Sequence, residues 1–190
     1  MADSADEARI DQALATRARL DGDRRAFEQL VRRHQGMVRA QLRRLLRDDD
    51  AAADDLAQET FVLAWRKLGQ FRGDARFSTW LYSIAYTCFL QSRRGRPLDD
   101  NADDEALASL QAPMHRIDLQ VDIDRGMRRL SAAEQAVLLH CTQLGLSHEE
   151  AAYVLAMPLG TVKTHALRGK AKLKQWLAAW HDRRDTEEAP

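Results

Sequence analysis

Proline and glycine are scarce in this chain, 4 and 9 among 190 residues, and the strict apolar–polar alternation of a half-buried strand is missing. A sheet protein with tight turns is excluded, since apolar residues recur instead at the three-and-four spacing of helices. Long apolar runs are also missing, and nothing approaches the ~18 residues of a membrane span. The segment from Met1 to Arg9 is acidic and Ala-rich rather than basic and then apolar. Neither membrane insertion nor a signal peptide is therefore expected, and a cytoplasmic location follows. Cysteine is limited to Cys88 and Cys141, in separate amphipathic segments without CxxC or Cys/His zinc spacing. That pattern predicts buried free thiols and no metal. Net charge is zero, 29 basic against 29 acidic residues, which excludes a uniformly basic nucleic-acid binder.

The charges are sorted along the chain. Arg24 to Arg47 and Arg93 to Arg96 are arginine-rich, Lys163 to Lys174 is basic, and Asp99 to Asp124 between them is mainly acidic. Helices are predicted near 10–20, from Asp23 onward, and near 53–68 and 77–94. Their inner stripes are Phe27, Leu30, Val31 and His34, resuming at Val38, Leu42, Leu45 and Leu46 past a Gly36 expected to loosen the helix. The next two stripes are Ala57, Phe61, Ala64 and Leu68, then Phe77, Leu81, Ile84 and Cys88. Residues 97–120 hold Pro97, Pro113 and the acidic cluster with little periodicity, and are read as a flexible acidic linker. Beyond it, helices are predicted near 121–130, 132–144, 147–155 and 159–181, then a disordered-looking tail, 183–190. The expected fold class is all-α: two small helical domains, 23–96 and 121–182, with an N-terminal helix (1–22) leading into the first.

Ser147 with Glu150 three residues on is a capping-box pattern, and Met157-Pro158-Leu159-Gly160 ends that helix early. In the next helix Val162, Ala166, Gly169, Leu173, Leu177 and Trp180 share one face, and Lys163, Thr164, Leu167 and Arg168 the opposite one. A short helix, a turn, and a second helix with basic and hydroxyl groups outward is how a recognition helix enters a DNA major groove. A solvated surface helix also carries lysines, with Lys170, Lys172 and Lys174 extending the basic surface, and charge alone leaves both readings open.

In the first half, DLAQETFVLAW at 55–65 sets Asp55, Gln58, Glu59, Val62 and Arg66 on one outward face, a ridge suited to a basic partner, with Arg66 read as simply solvated. FRGDARFSTWLY at 71–82 leads into a helix with Ser83, Tyr86, Arg93 and Arg94 on its polar face. Holding a melted strand requires a π-surface for an unstacked base and counter-charge for its phosphates, and this segment offers both. Phe77 and Trp80 lie at core spacing with Leu81 and Ile84, which favours packing, above all for Trp80.

GLS at 145–147, the alanines at 151 and 152, and PLGTVKTH at 158–165 closely resemble the promoter-binding helix-turn-helix of extracytoplasmic-function (ECF) sigma factors of bacterial RNA polymerase, in the sigma-70 family. The motifs at 55–65 and 71–82 resemble region two of the same family. Together the resemblance spans about 23–96 and 130–177. It implies that 23–96 binds core polymerase and recognises and melts the minus-10 element, and that 121–182 reads the minus-35 element.

By motif position, Asp55, Gln58 and Glu59 would meet the clamp helices of the largest polymerase subunit. Arg72, Gly73, Asp74, Phe77 and Ser78, with Tyr86, Thr87, Arg93 and Arg94, would meet minus-10 DNA. Thr161, Lys163, Thr164, His165, Leu167, Arg168 and Lys170 would meet minus-35 DNA. The implied partners are core RNA polymerase, promoter DNA and an anti-sigma factor, with no cofactor, small-molecule substrate or enzymatic activity. Thr87 and Gln91 stand where the family usually has Asn and Asp, and His165 stands in place of Arg.

Two other classes compete. A metal-dependent enzyme could use Asp48, Asp49, Asp50, Asp54 and Asp55, but consecutive acids in a turn diverge and no second motif supplies a partner ligand. Capping explains these residues better, and His140, Cys141 and His148 read as packing rather than zinc ligands. A helix-turn-helix regulator acting without polymerase is the second alternative, and the helix at 55–65 has no role in one.

Overall fold

Alternating small and apolar residues, rather than a strong apolar stripe, form the inner face of α1 (Ala2–Leu20), where Leu14, Ala15 and Ala18 are buried. The helix starts well before the expected residue 10, because the Ala-rich segment ahead of it has high helix propensity. Asp23 then accepts hydrogen bonds from the Arg25 and Ala26 backbone N–H groups at 3.0 and 3.1 Å and starts α2 (Arg24–Leu45). It also takes a 2.7 Å bond from Arg17 at the end of α1. The Ala26 bond foremost, then Arg17 and Arg25, holds the Asp23 carboxyl below its ordinary value. Contrary to the expected loosening, α2 runs unbroken through Gly36.

Asp49 caps α3 (Asp50–Lys67) by accepting from the Ala52 N–H. A single 3-10 turn, Leu68–Gln70, and the loop after it lead to α4 (Phe77–Arg94). In the other half lie a helical turn at 125–128, α5 (Ala132–Leu138), a π-helical turn (Leu139–Gln143), α6 (His148–Leu155) and α7 (Leu159–Glu187). This computed structural model describes residues 2–47, 49–94 and 125–187, and every regular element among them is helical. The expected linker, 97–120, lies outside the described residues. The helix predicted over 132–144 changes to π winding after Leu138, and the expected tail is helical as far as Glu187.

Contacts divide the chain into Met1–Gly95 with Leu146–Met157, and Arg96–Gly145 with Pro158–Pro190. The first unit closes on Leu30, Val38 and Leu42 of α2, Ala53, Ala57 and Ala64 of α3, and Leu81, Ile84 and Cys88 of α4. An aromatic cluster at its edge joins Phe71, Phe77 and Trp80, with centroids 5.2–5.4 Å apart.

Several polar groups buried with this core have partners of their own. The Thr60 hydroxyl donates to the Leu56 carbonyl at 2.7 Å, and Gln41 Nε2 donates to the Tyr82 carbonyl. Asp11 binds Arg33 at 2.7 Å and His34 Nε2 at 2.8 Å. Burial lowers the His34 pKa against the opposing pull of Asp11. Much of the arginine-rich block is consumed here: Arg39 and Arg43 of α2 bind Asp54 and Asp50 of α3, each at 2.9 Å.

Within the same unit, α6 packs on α4. Its capping box forms as expected, Ser147 Oγ accepting from the Glu150 N–H and Glu150 accepting from the Ser147 N–H. The Thr79 hydroxyl donates to the same carboxylate at 3.2 Å. Burial opposes the charge on Glu150, but these bonds and the nearby Arg76 outweigh it and keep its pKa low.

In the second unit α5 packs on α7. His140 is fully buried with Nδ1 against the Ala136 carbonyl at 2.7 Å, a packing role, and burial lowers its pKa. Both cysteines are free thiols; Cys88 is buried but Cys141 only half-buried, and burial raises both pKa values.

Candidate nucleic-acid and polymerase interfaces

The buried side of α3 is Ala53, Leu56, Ala57, Thr60 and Ala64, and helix periodicity then throws Asp55, Gln58 and Glu59 outward, where all three are exposed. Val62, 52 % exposed, continues the ridge, and Trp65, 36 % exposed, rests its ring 5.0 Å from that of Phe27. The exposed face of α3 is thus acidic at one end, while Val62, Trp65 and the exposed Arg66 mark the other. Val62 is outward as its helical position predicts, whereas nothing in the sequence marks Trp65, whose aromatic bulk suggests core. Phe61, expected in the buried stripe, is only half-buried.

The loop between the 3-10 turn and α4 exposes Arg72, Gly73 and Asp74. Gly73 has φ +82°, and a Cβ there would meet Gln12 Nε2 of α1 at 2.8 Å. The positive φ is what calls for glycine, since the tip of the Gln12 side chain can swing aside. So α1 lies against this loop, a contact that no local motif in α1 announces. Next to it, Asp11, Arg33, His34, Arg76, Phe77 and Ser78 line an open cleft.

Phe77 itself is 3 % exposed and packs on His34, Phe71 and Trp80. Its ring supports the loop from beneath instead of presenting a face to a base. Trp80 is likewise core, 7 % exposed. Along α4, Ser78, Tyr86 and Thr87 are half-buried and Arg93 is exposed. Ser83 turns inward, its hydroxyl donating to the Trp80 carbonyl at 2.7 Å. The Thr87 hydroxyl donates to the Ser83 carbonyl at 2.8 Å. The Arg93 guanidinium sits 6.0 Å from the Phe89 ring, which stacks on Tyr86. The Arg94 side chain lies outside the described residues.

At the second candidate DNA surface, Ala156 ends α6 in the left-handed region at φ +51°. The Pro158 carbonyl then accepts from the Thr161 and Val162 N–H groups at 2.9 and 3.1 Å and starts α7. Val162, Ala166 and Gly169 are buried, while Lys163, Thr164, Leu167, Arg168 and Lys170 are exposed and Thr161 and His165 are half-buried. Leu167 is 73 % exposed, an apolar side chain among cations. The Thr164 hydroxyl donates back to the Gly160 carbonyl at 2.8 Å. Lys172 departs from the expected basic surface: its ammonium is bound to Glu134 of α5.

One helix thus presents an outward acidic ridge and another a basic, hydroxyl-bearing face, and every regular element among the described residues is helical. Comparison with known proteins says what such a chain does. The families described as Sigma-70 region 2 and Sigma-70, region 4 match residues 30–96 and 120–173. The chain is 33 % identical to the RNA polymerase sigma-H factor of Pseudomonas aeruginosa over 88 % of this chain and 93 % of that protein. It is 32 % identical to the RNA polymerase sigma factor NccH of Alcaligenes xylosoxydans over 86 % and 92 %. Among solved structures it resembles CnrH in complex with the cytosolic domain of CnrY, with TM-score 0.66, 29 % identity, and coverage of 90 % of this chain and 98 % of that one. It also resembles the sigma factor RpoE of Bartonella quintana in complex with the anti-sigma factor NepR, with TM-score 0.62, 27 % identity, and 80 % and 96 % coverage.

The chain belongs to the ECF sigma factors of the sigma-70 family. It binds core RNA polymerase and directs it to promoters in transcription initiation. The alternative of a helix-turn-helix regulator acting without polymerase is overturned, since region 2 accompanies region 4 and the relatives are polymerase sigma factors. No helix among the described residues is long and apolar enough to cross a membrane.

Proposed function

We propose that this sigma factor docks on polymerase through the exposed face of α3, with Asp55, Gln58 and Glu59 meeting the clamp helices of the largest subunit. One observation carries the assignment. Asp50 and Asp54, earlier on the same helix, bind arginines of α2, whereas Asp55 and Glu59 project from the other side of the helix into solvent. The functional division proposed is 23–96 for polymerase binding and minus-10 work, 97–120 as connector, and 121–182 for the minus-35 element.

For minus-10 DNA the proposed contacts are Arg72, Gly73, Asp74 and Ser78 of the loop and helix start, with Tyr86, Thr87, Arg93 and Arg94 along α4. Phe77 acts through its support of the loop. For minus-35 DNA they are Thr161, Lys163, Thr164, His165, Leu167, Arg168 and Lys170. An anti-sigma factor is the proposed regulator, by analogy with the RpoE neighbour solved with NepR, and the cytoplasm is the proposed site of action. No catalytic activity of the chain's own is proposed.

The minus-35 assignment is tested by a pair of variants. Arg168 can hold a guanine through two parallel hydrogen bonds, while Lys174 on the same helix suits a phosphate. Arg168→Ala is expected to cost about 1–3 kcal/mol at the cognate minus-35 element and relax base preference there. Lys174→Ala should weaken binding to all sequences and flatten the logarithmic salt slope by about 0.9. Holoenzyme binding to minus-35 variants at several salt concentrations separates the two effects. Wild-type base discrimination in Arg168→Ala removes Arg168 from the reading face.

A further inference from the structure

Ser131 starts α5 with a second capping box, its hydroxyl accepting from the Glu134 N–H and the Glu134 carboxylate from the Ser131 N–H. That carboxylate has another partner. Lys172 Nζ lies 2.9 Å from both of its oxygens, and Glu134 is only 3 % exposed. Lys172 foremost, then the Ser131 bond, holds the Glu134 pKa below its ordinary value. One turn earlier on α7, a Cβ on Gly169 would stand 2.9 Å from Leu138 Cδ1 and 3.5 Å from Glu134 Cβ. The α7 backbone therefore lies directly on α5 at that point. One turn later, the Arg129 guanidinium sits 4.2 Å from the Trp176 ring. Gly169, Lys172 and Trp176 thus fasten one stretch of α7 to the rest of its unit.

Roll about the helix axis is what this fastening controls. At about 100° per residue, Lys172 lies roughly 180° around the helix from Lys163. The two lysines mark opposite edges of the exposed face, with Thr164, Leu167 and Arg168 between them. Tying one edge to α5 fixes where the middle points. We propose that the Glu134–Lys172 pair positions the reading face of α7, setting its roll so that Thr164, Leu167 and Arg168 are presented together, and that Lys172 is not itself a phosphate contact. This rests on the reading of α7 as the promoter-reading helix. Lys172 is half exposed but Glu134 is buried, so removing the lysine leaves a buried carboxylate and costs stability as well. The effect specific to positioning is in base discrimination, and circular dichroism keeps folded variants apart from unfolded ones.

The test uses the full chain assembled with core polymerase, on minus-35 variants of a promoter recovered by in vitro transcription from a genomic library. Lys172→Met and Glu134→Gln should each lower discrimination between cognate and scrambled minus-35 elements at least about fivefold, with the salt slope at its wild-type value. Glu134→Gln keeps an acceptor for the Ser131 N–H. Lys172→Arg, which can still reach the carboxylate, should restore discrimination. A slope flattened by about 0.9 in Lys172→Met with discrimination intact makes Lys172 a phosphate contact and overturns the proposal. Arg168→Ala, measured alongside, separates the two levels. Discrimination lost there but kept in Lys172→Met overturns the positioning role alone, whereas discrimination kept in both overturns the reading face as well.

Discussion

A chain carrying both Asp55→Lys and Glu59→Lys is expected to keep wild-type helicity and to lose association with core RNA polymerase. Both residues are exposed, four apart on the outward face of α3, and outside the stripe of Ala53, Leu56, Ala57, Thr60 and Ala64 that packs inward. Lysine is a good helix former, so the helix tolerates the exchange. The interface does not. Breaking one hydrogen-bonded charge pair at an interface costs about 2–5 kcal/mol, and like charges brought together add to that. Two such sites weaken binding by about 1,000-fold or more, at 1.4 kcal/mol per tenfold. Circular dichroism checks the fold and size-exclusion with core polymerase checks association. Wild-type association by the folded double variant would contradict the placement of the interface on α3.

Leu81→Ala should destabilise the first unit by about 2–5 kcal/mol, a large share of the ~5–15 kcal/mol that holds a domain together. Leu81 is fully buried in α4, between the aromatic cluster of Phe71, Phe77 and Trp80 and the Ile84–Cys88 stretch. Truncation leaves a cavity that rigid helix neighbours cannot fill. Leu90→Ala on the same helix, 40 % exposed, should change stability by no more than about 0.5 kcal/mol. The contrast separates burial from helix propensity, which is the same in both. Urea unfolding of the two variants measures it, and equal losses would mean that α4 does not pack as described.

Local chemistry was legible in the sequence where both partners lie within a turn or two of each other. The Ser147–Glu150 capping box, the outward set Asp55, Gln58 and Glu59, and the exposed Lys163, Thr164, Leu167 and Arg168 all follow from helix periodicity, and the structure places them as expected. What escaped depends on residues far apart in the chain. Asp11 meets His34 across 23 positions, Gln12 lies under Gly73, and Lys172 reaches Glu134 across 38 positions. A lysine run gives no sign that one member is tied inward. Ser131 and Glu134 did carry a readable signal, the same S-x-x-E spacing as at Ser147. Phe77 sits at both core and motif spacing, and only the packing of its neighbours decides for the core.

That this chain gives polymerase its promoter selectivity is decided by transcription itself. Purified chain and core RNA polymerase are combined on a fragmented genomic library, and transcript starts are mapped. A limited set of starts is expected, present only with both components, sharing a minus-35 and a minus-10 element, and lost in the Asp55→Lys/Glu59→Lys variant. Starts identical with and without the chain, or shared elements that persist in that variant, would contradict it.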